Sequence, residues 1–547
     1  MAKTTTFPLR YSAYVISIAG LIISLPITLW AGAGYVIPLI FAGLASLGTW
    51  DLLQRSHTVS RNYPIMANFR YLLESVGPEI RQYFIQSDTE ERPFSREQRT
   101  IVYQRAKNVL DKRPFGSQLG MYEEGFEWMN HSLTPSKLSS SDFRIVIGKN
   151  CDKPYSASVF NISAMSFGSL SANAILSLNS GARKGGFYHD TGEGSISSYH
   201  RKPGGDLVWE IGSGYFGCRH PDGSFNPDMF RENACIDQVK MIEVKLSQGA
   251  KPGHGGILPG EKVTQEIAEA RGVQVGEDCV SPASHSAFSN PVELLEFLEQ
   301  LRELSGGKPI GFKLAIGHPW EWFAIVKAML ATGKKPDFIV VDGGEGGTGA
   351  APLEFINRLG MPMTEALLLV HNTLVGTNLR EDIAIGAAGK ITSAFNIART
   401  LALGADWCNA ARGYMFALGC IQALNCHTGR CPSGIATQDP RRGNKLDVKL
   451  KSERVFNYHM NTLDALQNLL EASGLKHPSE LGPEHIVRRV SKTEIHSYLD
   501  LFPFLEPGAL LEGKTGLTVF DKYWEEARYD TFEPPEFILK LRETKLR

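Results

Sequence analysis

Excess charge is the first thing this chain lacks: 57 lysines and arginines against 58 aspartates and glutamates leave a formal net charge of −1. So weak a field gives no grip on a phosphate backbone, and nucleic acid is not expected as a partner. Cysteine is sparse as well, eight in 547 residues, too few and too scattered for a secreted disulfide framework. Low-complexity tracts and short internal repeats are missing. What remains is an ordinary globular balance, 43% hydrophobic and 21% charged, which excludes collagen-like, coiled-coil and disordered classes and allows a large core with extra segments.

Charge is missing locally too. Between Arg10 and Asp51 no charged residue occurs, an apolar run long enough for two membrane passes at roughly 20 residues each. The first span is expected from Tyr11 to Trp30, the turn at Ala31-Gly32-Ala33-Gly34 and the end of the second span at Trp50. Lys3 and Arg10 precede the run; Arg55, Arg61 and Arg70 follow it. By the positive-inside tendency this predicts a multi-pass anchor with both flanks, and therefore the catalytic bulk, facing the cytoplasm. A cleaved signal peptide is the competing reading; the second apolar segment, which follows at once, speaks against it. Beyond Asp51, charged and aromatic residues at helical spacing predict a juxtamembrane helical segment.

From about Ser156 onward, short runs rich in Val, Ile and Phe alternate with amphipathic stretches of helix length, the pattern of parallel βα units. Strands are predicted at 241–246, 310–316, 338–342, 383–387 and 407–411, and helices at 291–305 and 393–403. The expected fold class is α/β, a (β/α)8 TIM barrel preceded by a transmembrane helical hairpin. An open doubly wound sheet is the runner-up, and the first βα turn lacks its G-x-G-x-x-G fingerprint.

Barrels carry their chemistry in the loops after the strands. Gly386 to Lys390 and Ala411-Arg412-Gly413 end the last two predicted strands. Small residues there, followed by a helix start, would suit a phosphate group, with Gly389, Ala411, Arg412 and Gly413 as its contacts. Plain turn chemistry is the alternative. Three other loops are dense in small and polar residues: Ala164-Met165-Ser166, Thr191-Gly192-Glu193-Gly194, and Asp342-Gly343-Gly344 with the glycines that follow. Such loops let a backbone approach a flat ligand closely. Lys245 and Lys313 fall inside predicted strands, where an ammonium needs an anion or a ligand beside it. A cation there would stabilise an anionic reduced flavin; a core carboxylate is the other partner either lysine could have.

Three cysteines do crowd together. Cys420, Cys426 and Cys431 form C-x5-C-x4-C, followed by Pro432. Three close thiolates fit a 3Fe-4S centre or a four-iron cluster with an external ligand. Zinc is the rival metal, with His427 near enough in sequence to complete a site.

These segments together resemble the FMN-binding synthase domain of glutamate synthase. The resemblance runs from about Ser163 to Gln438 and is carried by Ala164-Met165-Ser166, Thr191-Gly192-Glu193-Gly194, Gly212 to Gly217, Lys245 to Gly253, Gly346 to Pro352 and Cys420 to Gln438. It implies an FMN barrel beside a 3Fe-4S cluster, acting on a 2-oxo acid and ammonia or an amine: reductive amination of 2-oxoglutarate to glutamate, with hydride from the flavin. It further implies Gln248 and Lys251, with His254 beside them, at the substrate, and Ala164, Met165, Ser166, Thr191, Lys245, Asp342, Gly343 and Gly344 at the cofactor. Lys313 and Glu193 are the expected catalytic residues. Electrons would come from ferredoxin, a reductase subunit or a quinol.

Departures from the family pattern shape the rest of the expectation. The glutaminase domain and the β-helical domain of full-length glutamate synthases have no counterpart here, so ammonia is expected from elsewhere. His254 stands where the family usually has Glu, and Ala387-Ala388-Gly389 where it has Asp-Gly-Gly. Alternatives are an FMN oxidoreductase acting on another amine or imine, and a non-catalytic electron relay. The expected partition is an anchor at 1–50, a juxtamembrane segment at 51–120, the barrel with its cysteine motif at 121–484, and an extension at 485–547.

Overall fold

The computed structural model describes residues 9–54, 57–85, 89, 92–258, 260–513 and 515–545. Lys3 and Arg55, expected to flank the apolar run, lie outside the described residues. The chain divides into two compact units, Met1–Glu91 and Arg92–Arg547.

In the first unit, α1 (Ser12–Ala31) and α2 (Val36–Leu53) form a helical hairpin. Gly32 ends α1 in the left-handed region, φ 66°, and its N–H returns to the Thr28 carbonyl, a conformation glycine reaches without strain. The two helices press closely, since a Cβ on Gly20 would meet the Phe41 ring and one on Gly48 the Tyr14 ring. Tyr14 and Thr49 share a hydrogen bond of 2.9 Å. Ser17, Thr28 and Thr49 donate to carbonyls four residues back in their own helices, so these hydroxyls need no water. Both helices are long and apolar enough to cross a membrane, judged by length and composition.

The second unit is a closed barrel of eight parallel strands: β1 Phe160–Ile162, β2 His189–Asp190, β3 Leu207–Ile211, β4 Val239–Lys245, β5 Ile310–Leu314, β6 Phe338–Asp342, β7 Ala384–Ala388 and β8 Trp407–Ala410. Closure of β8 onto β1 excludes the open doubly wound sheet. The strands β3 and β5 are buried along their whole length, so the Glu210 and Lys313 they carry lie inside the barrel. Helices separate the strands, among them Pro291–Leu304, capped by Asn290, and Ala394–Ala402, capped by Ser393.

A hairpin of Arg144–Ile147 and Tyr155–Ser158 precedes the barrel. Its Ile147, Tyr155 and Ala157 pack with residues at the starts of strands, Tyr188, Val208, Met241, Phe338 and Trp407, and close the N-terminal end with an apolar floor. The helix Arg96–Ala106, here α3, starts from a Ser95/Gln98 capping box and belongs to the barrel unit. The division at Glu91/Arg92 therefore falls inside the 51–120 segment. Later in the unit the long helix Val448–Ala472, here α4, is bound to α3 by Asn461, whose amide donates to the Arg105 carbonyl at 2.8 Å.

Candidate functional site

Site residues gather at the C-terminal mouth of the barrel because each follows a strand end. The loop after β2 carries Thr191, Gly192 and Glu193, and it lies against the loop after β1. A Cβ on Gly192, whose φ is +65°, would meet the Ser166 amide nitrogen at 2.7 Å, so a larger residue would part the Ala164-Met165-Ser166 and Thr191 loops. Thr191 is fixed from below, its hydroxyl accepting the Glu210 N–H at 3.1 Å. The strand β4 ends on Lys245, and the loop beyond it brings Gln248, Lys251 and His254 around a small pocket that Glu193 and Lys245 also line. Ser213 and Ser281 complete its wall. One side of that wall is the antiparallel pair Gly256–Leu258 and Cys279–Ser281, an excursion between β4 and β5.

The pocket has a surplus of positive charge. Lys245 donates a hydrogen bond to Glu193 and pairs with it. Burial pushes the Glu193 carboxyl up, but Lys245, with Lys251 and Arg271 beyond, outweighs burial and holds it at about 2. A carboxyl held there is ionised at neutral pH and has no proton to give. Burial lowers the Lys251 ammonium, opposed by Glu193 and assisted by Lys245. The Lys245 carbonyl faces His285 Nε2 at 2.9 Å, and Tyr215 OH lies 3.1 Å from His285 Nδ1. Burial depresses this imidazole to about 4, so it is neutral at physiological pH. His254 stands exposed at the rim, its ring 5.2 Å from that of Phe355.

Asp342 ends β6 and accepts the Gly249 N–H at 2.8 Å. That loop contact is tight, because a Cβ on Gly249 would overlap the Gly343 carbonyl. Gly343 and Gly344 are tethered in turn, donating to the carbonyls of Ala388 and Met361 at 2.8 Å each. Beside β6, Ala388 ends β7 and Gly389 follows it, and Ala411, Arg412 and Gly413 open the helix Arg412–Leu418, here α5. Gly389 backs onto Met363 and Gly413 onto the Tyr458 hydroxyl. The Arg412 guanidinium reaches toward the glycine loop after β6, 3.6 Å from the place a Cβ on Gly347 would take. The first turn of α5 leaves N–H groups without intrahelical acceptors. Small residues, a guanidinium and free N–H groups form a cradle with the chemistry to take a phosphate.

Lys313 sits apart from this pocket. It lies inside the barrel, paired with Glu210 and, at 3.2 Å, with Glu243. Asp190, Glu210 and Glu243 lie within 4.8 Å of one another and are all buried, so three carboxylates surround one ammonium. Burial raises Glu243 to about 7, with Glu210 adding and Lys313 opposing. Burial likewise raises Asp190 well above the carboxylate range, with Glu243 and Glu210 adding to it. This layer was missed from sequence. An acid inside an apolar strand, as in Leu207-Val208-Trp209-Glu210-Ile211, was the available signal, the same one that marked the two lysines.

Cys420 follows the end of α5, and its carbonyl accepts from Tyr103 of α3 at 2.5 Å. Its thiol is pushed up by burial, and Arg412 opposes that shift while Cys426 and Cys431 add to it. The Arg412 Nη1 lies 3.9 Å from Cys426 Sγ. Burial would raise Cys431, but the Ser433 hydroxyl and the N–H groups of Ala436, Ile435 and Ser433 bring it below the ordinary thiol range. Among the described residues the three sulfurs do not form a group within 4.8 Å of one another. A tetrahedral zinc, with Zn–S near 2.3 Å, would hold them about 3.8 Å apart.

A profile described as the conserved region in glutamate synthase matches residues 128–476. The glutamate synthase large subunit-like protein YerD of Bacillus subtilis (strain 168) is 39% identical over 480 residues, covering 80% of this chain and 91% of that protein. The archaeal-type NADPH glutamate synthase of Thermotoga neapolitana is 34% identical over 313 residues, covering 57% of this chain and 58% of its own length. The archaeal NADPH glutamate synthase of Methanocaldococcus jannaschii is 33% identical, and 65% of it is covered. The chain thus spans less than two thirds of these two synthases. Among solved structures, the flavin-binding domain of baker's yeast flavocytochrome b2 aligns at 11% identity with a TM-score of 0.40, covering 77% of this chain and 85% of that one.

Proposed function

The chain belongs to the glutamate synthase family, and from that membership we propose that it is an FMN- and iron–sulfur-dependent oxidoreductase that aminates a 2-oxo acid reductively, with 2-oxoglutarate and ammonia as substrates. The observation that carries this reading is the cationic pocket at the mouth, Lys245 and Lys251 with Gln248 against the single carboxylate of Glu193. A dicarboxylate needs cations and amide donors, and charge-assisted bonds to lysine supply both energy and orientation.

FMN would be held by Ala164, Met165, Ser166, Thr191, Lys245, Asp342, Gly343 and Gly344, with its phosphate against Gly389, Ala411, Arg412 and Gly413. The small-residue cradle beside Arg412 supports that assignment. When bound, FMN supplies the hydride and the protein supplies position and charge. Glu193 fixes the Lys245 ammonium and accepts an N–H hydrogen bond from incoming ammonia, because it is ionised throughout the physiological range. Lys251, lowered by burial, binds a substrate carboxylate. Lys313 acts from below, fixing the charge of Glu210 and Glu243 under the mouth.

Cys420, Cys426 and Cys431 would hold a 3Fe-4S cluster. The N–H groups around Cys431 suit a thiolate, as hydrogen bonds to sulfur do in such clusters. The α1–α2 hairpin would anchor the enzyme to a membrane with the barrel in the cytoplasm, where ferredoxin, a reductase subunit or a quinol delivers electrons.

The test is anaerobic stopped-flow absorbance on the detergent-purified protein, chemically reduced and mixed with 2-oxoglutarate plus ammonium, beside controls omitting each. Flavin reoxidation that requires both, with glutamate as product, is the expected result. No reoxidation from protein with full flavin and iron content would overturn the reading.

A further inference from the structure

The helix Met66–Ile80 follows the apolar hairpin in the first unit. At about 100° per residue, Met66, Phe69, Leu72, Leu73, Val76 and Ile80 fall within about 120° of arc. All six are exposed, between 38% and 58%. The remaining arc is polar or tied to its own unit. Arg70 pairs with Glu74 at 2.6 Å, Ser75 returns its hydroxyl to the Leu72 carbonyl, and Ala67 is buried. Among the described residues of this unit, a single narrow apolar stripe is thus left open to solvent over about half of its side-chain surface.

The position of the stripe is fixed by one side chain. Asp51 is the first charged residue after the apolar run and is 3% exposed. Its Oδ2 accepts the Ile65 N–H at 2.8 Å and the Asn68 side-chain N–H at 2.7 Å. Ile65 itself packs at Gly48 of α2, 3.2 Å from the place a Cβ there would take. The start of the helix is therefore held level with the end of α2, where a membrane-spanning stretch meets the polar boundary.

We propose that Met66–Ile80 is an interfacial helix whose apolar stripe is embedded at the acyl–headgroup boundary of a lipid bilayer. The occupant of the stripe is lipid. A second copy of the chain is the lesser match, since the stripe spans only about two heptads where a coiled coil sustains three to four. Arg61 and Arg81 flank the helix, the residue type that anionic headgroups attract. The inference rests on the reading of α1 and α2 as a membrane anchor and extends it from a tether to a surface contact.

The experiment uses the full chain reconstituted in phosphatidylcholine–phosphatidylglycerol vesicles that carry a phospholipid with a photoactivatable diazirine near the headgroup end of its acyl chain. Label is read residue by residue by mass spectrometry. Embedding predicts label on Phe69, Leu72, Leu73 and Val76 several-fold above that on Arg70, Glu74 and Ser75, together with label on the hairpin. In Leu73→Glu/Val76→Glu the helix label should fall several-fold while hairpin label and flavin absorbance stay. Label on the hairpin with none on the helix overturns this inference alone. Absence of label from both overturns the membrane reading and this inference with it. A spontaneous disulfide between two copies of Val76→Cys, with the helix unlabelled, assigns the stripe to a second copy.

Discussion

At the mouth of the barrel one carboxylate, Glu193, faces Lys245 with Lys251 and Arg271 behind; one layer below, one ammonium, Lys313, faces Glu210, Glu243 and Asp190. Both are lysine–carboxylate sites at strand ends or inside strands, and both are withdrawn from water. The majority sign differs, and it decides the protonation. Where cations outnumber, the acid is held ionised at about 2; where acids outnumber, burial and mutual repulsion raise Glu243 to about 7 and keep a proton in the layer. Burial alone therefore predicts nothing about an acid until the neighbours are counted.

The contrast breaks most sharply at Lys313. Lys313→Met leaves carboxylates with no counter-charge, and the barrel should lose about 3–5 kcal/mol of stability, the usual result of removing one partner of a buried pair. Denaturant unfolding followed by near-UV circular dichroism checks this, and Lys313→Met combined with Glu210→Gln and Glu243→Gln should recover much of the loss. An unchanged midpoint in the single variant would remove the interior layer from the account of stability. At the mouth the corresponding change, Lys251→Ala, should leave stability within about 0.5 kcal/mol. It should instead raise KM for the 2-oxo acid roughly 10- to 100-fold, the equivalent of about 1.5–3 kcal/mol for a hydrogen bond to a charged group. Steady-state kinetics with 2-oxoglutarate as the varied substrate decide it.

Titration sharpens the same contrast. Glu243 is raised from 4.5 to about 7, so the folded state holds the extra proton and its contribution to stability is full below 4.5 and fades as pH rises through about 7. Glu193 is lowered from 4.5 to about 2, so its contribution is present above 4.5 and fades as pH falls toward 2. Glu243→Gln should flatten the alkaline limb of the stability profile and Glu193→Gln the acid limb; both variants losing the same limb would contradict the assignment. The smallest effect is expected at the rim, where His254→Glu sets a negative charge beside the pocket. Exposed there, it should raise KM by a few fold, about 0.5–1 kcal/mol, and the rise should shrink as salt is added to the assay.

Much of this was legible in the sequence. The strands at Ile310, Phe338 and Trp407 start where their apolar runs do, because strands buried on both faces are mostly apolar. Glu193, Lys245, Gln248, Lys251 and His254, named from two separate segments, do share one pocket. What escaped is whatever depends on closure. Asp190, Glu210 and Glu243 are far apart along the chain and meet only because β2, β3 and β4 are adjacent. The N–H groups around Cys431 belong to backbone, which has no letter of its own. The partner of Lys313 was left open between a ligand and a carboxylate, and strand order resolves it to Glu210 and Glu243.

The apolar floor of Ile147, Tyr155, Tyr188, Phe338 and Trp407 turns the barrel into a vessel with one opening. The barrel is therefore polarised along its axis, apolar at one end and ionic toward the other, where the Lys313 layer and the Lys245–Glu193 pair lie in succession.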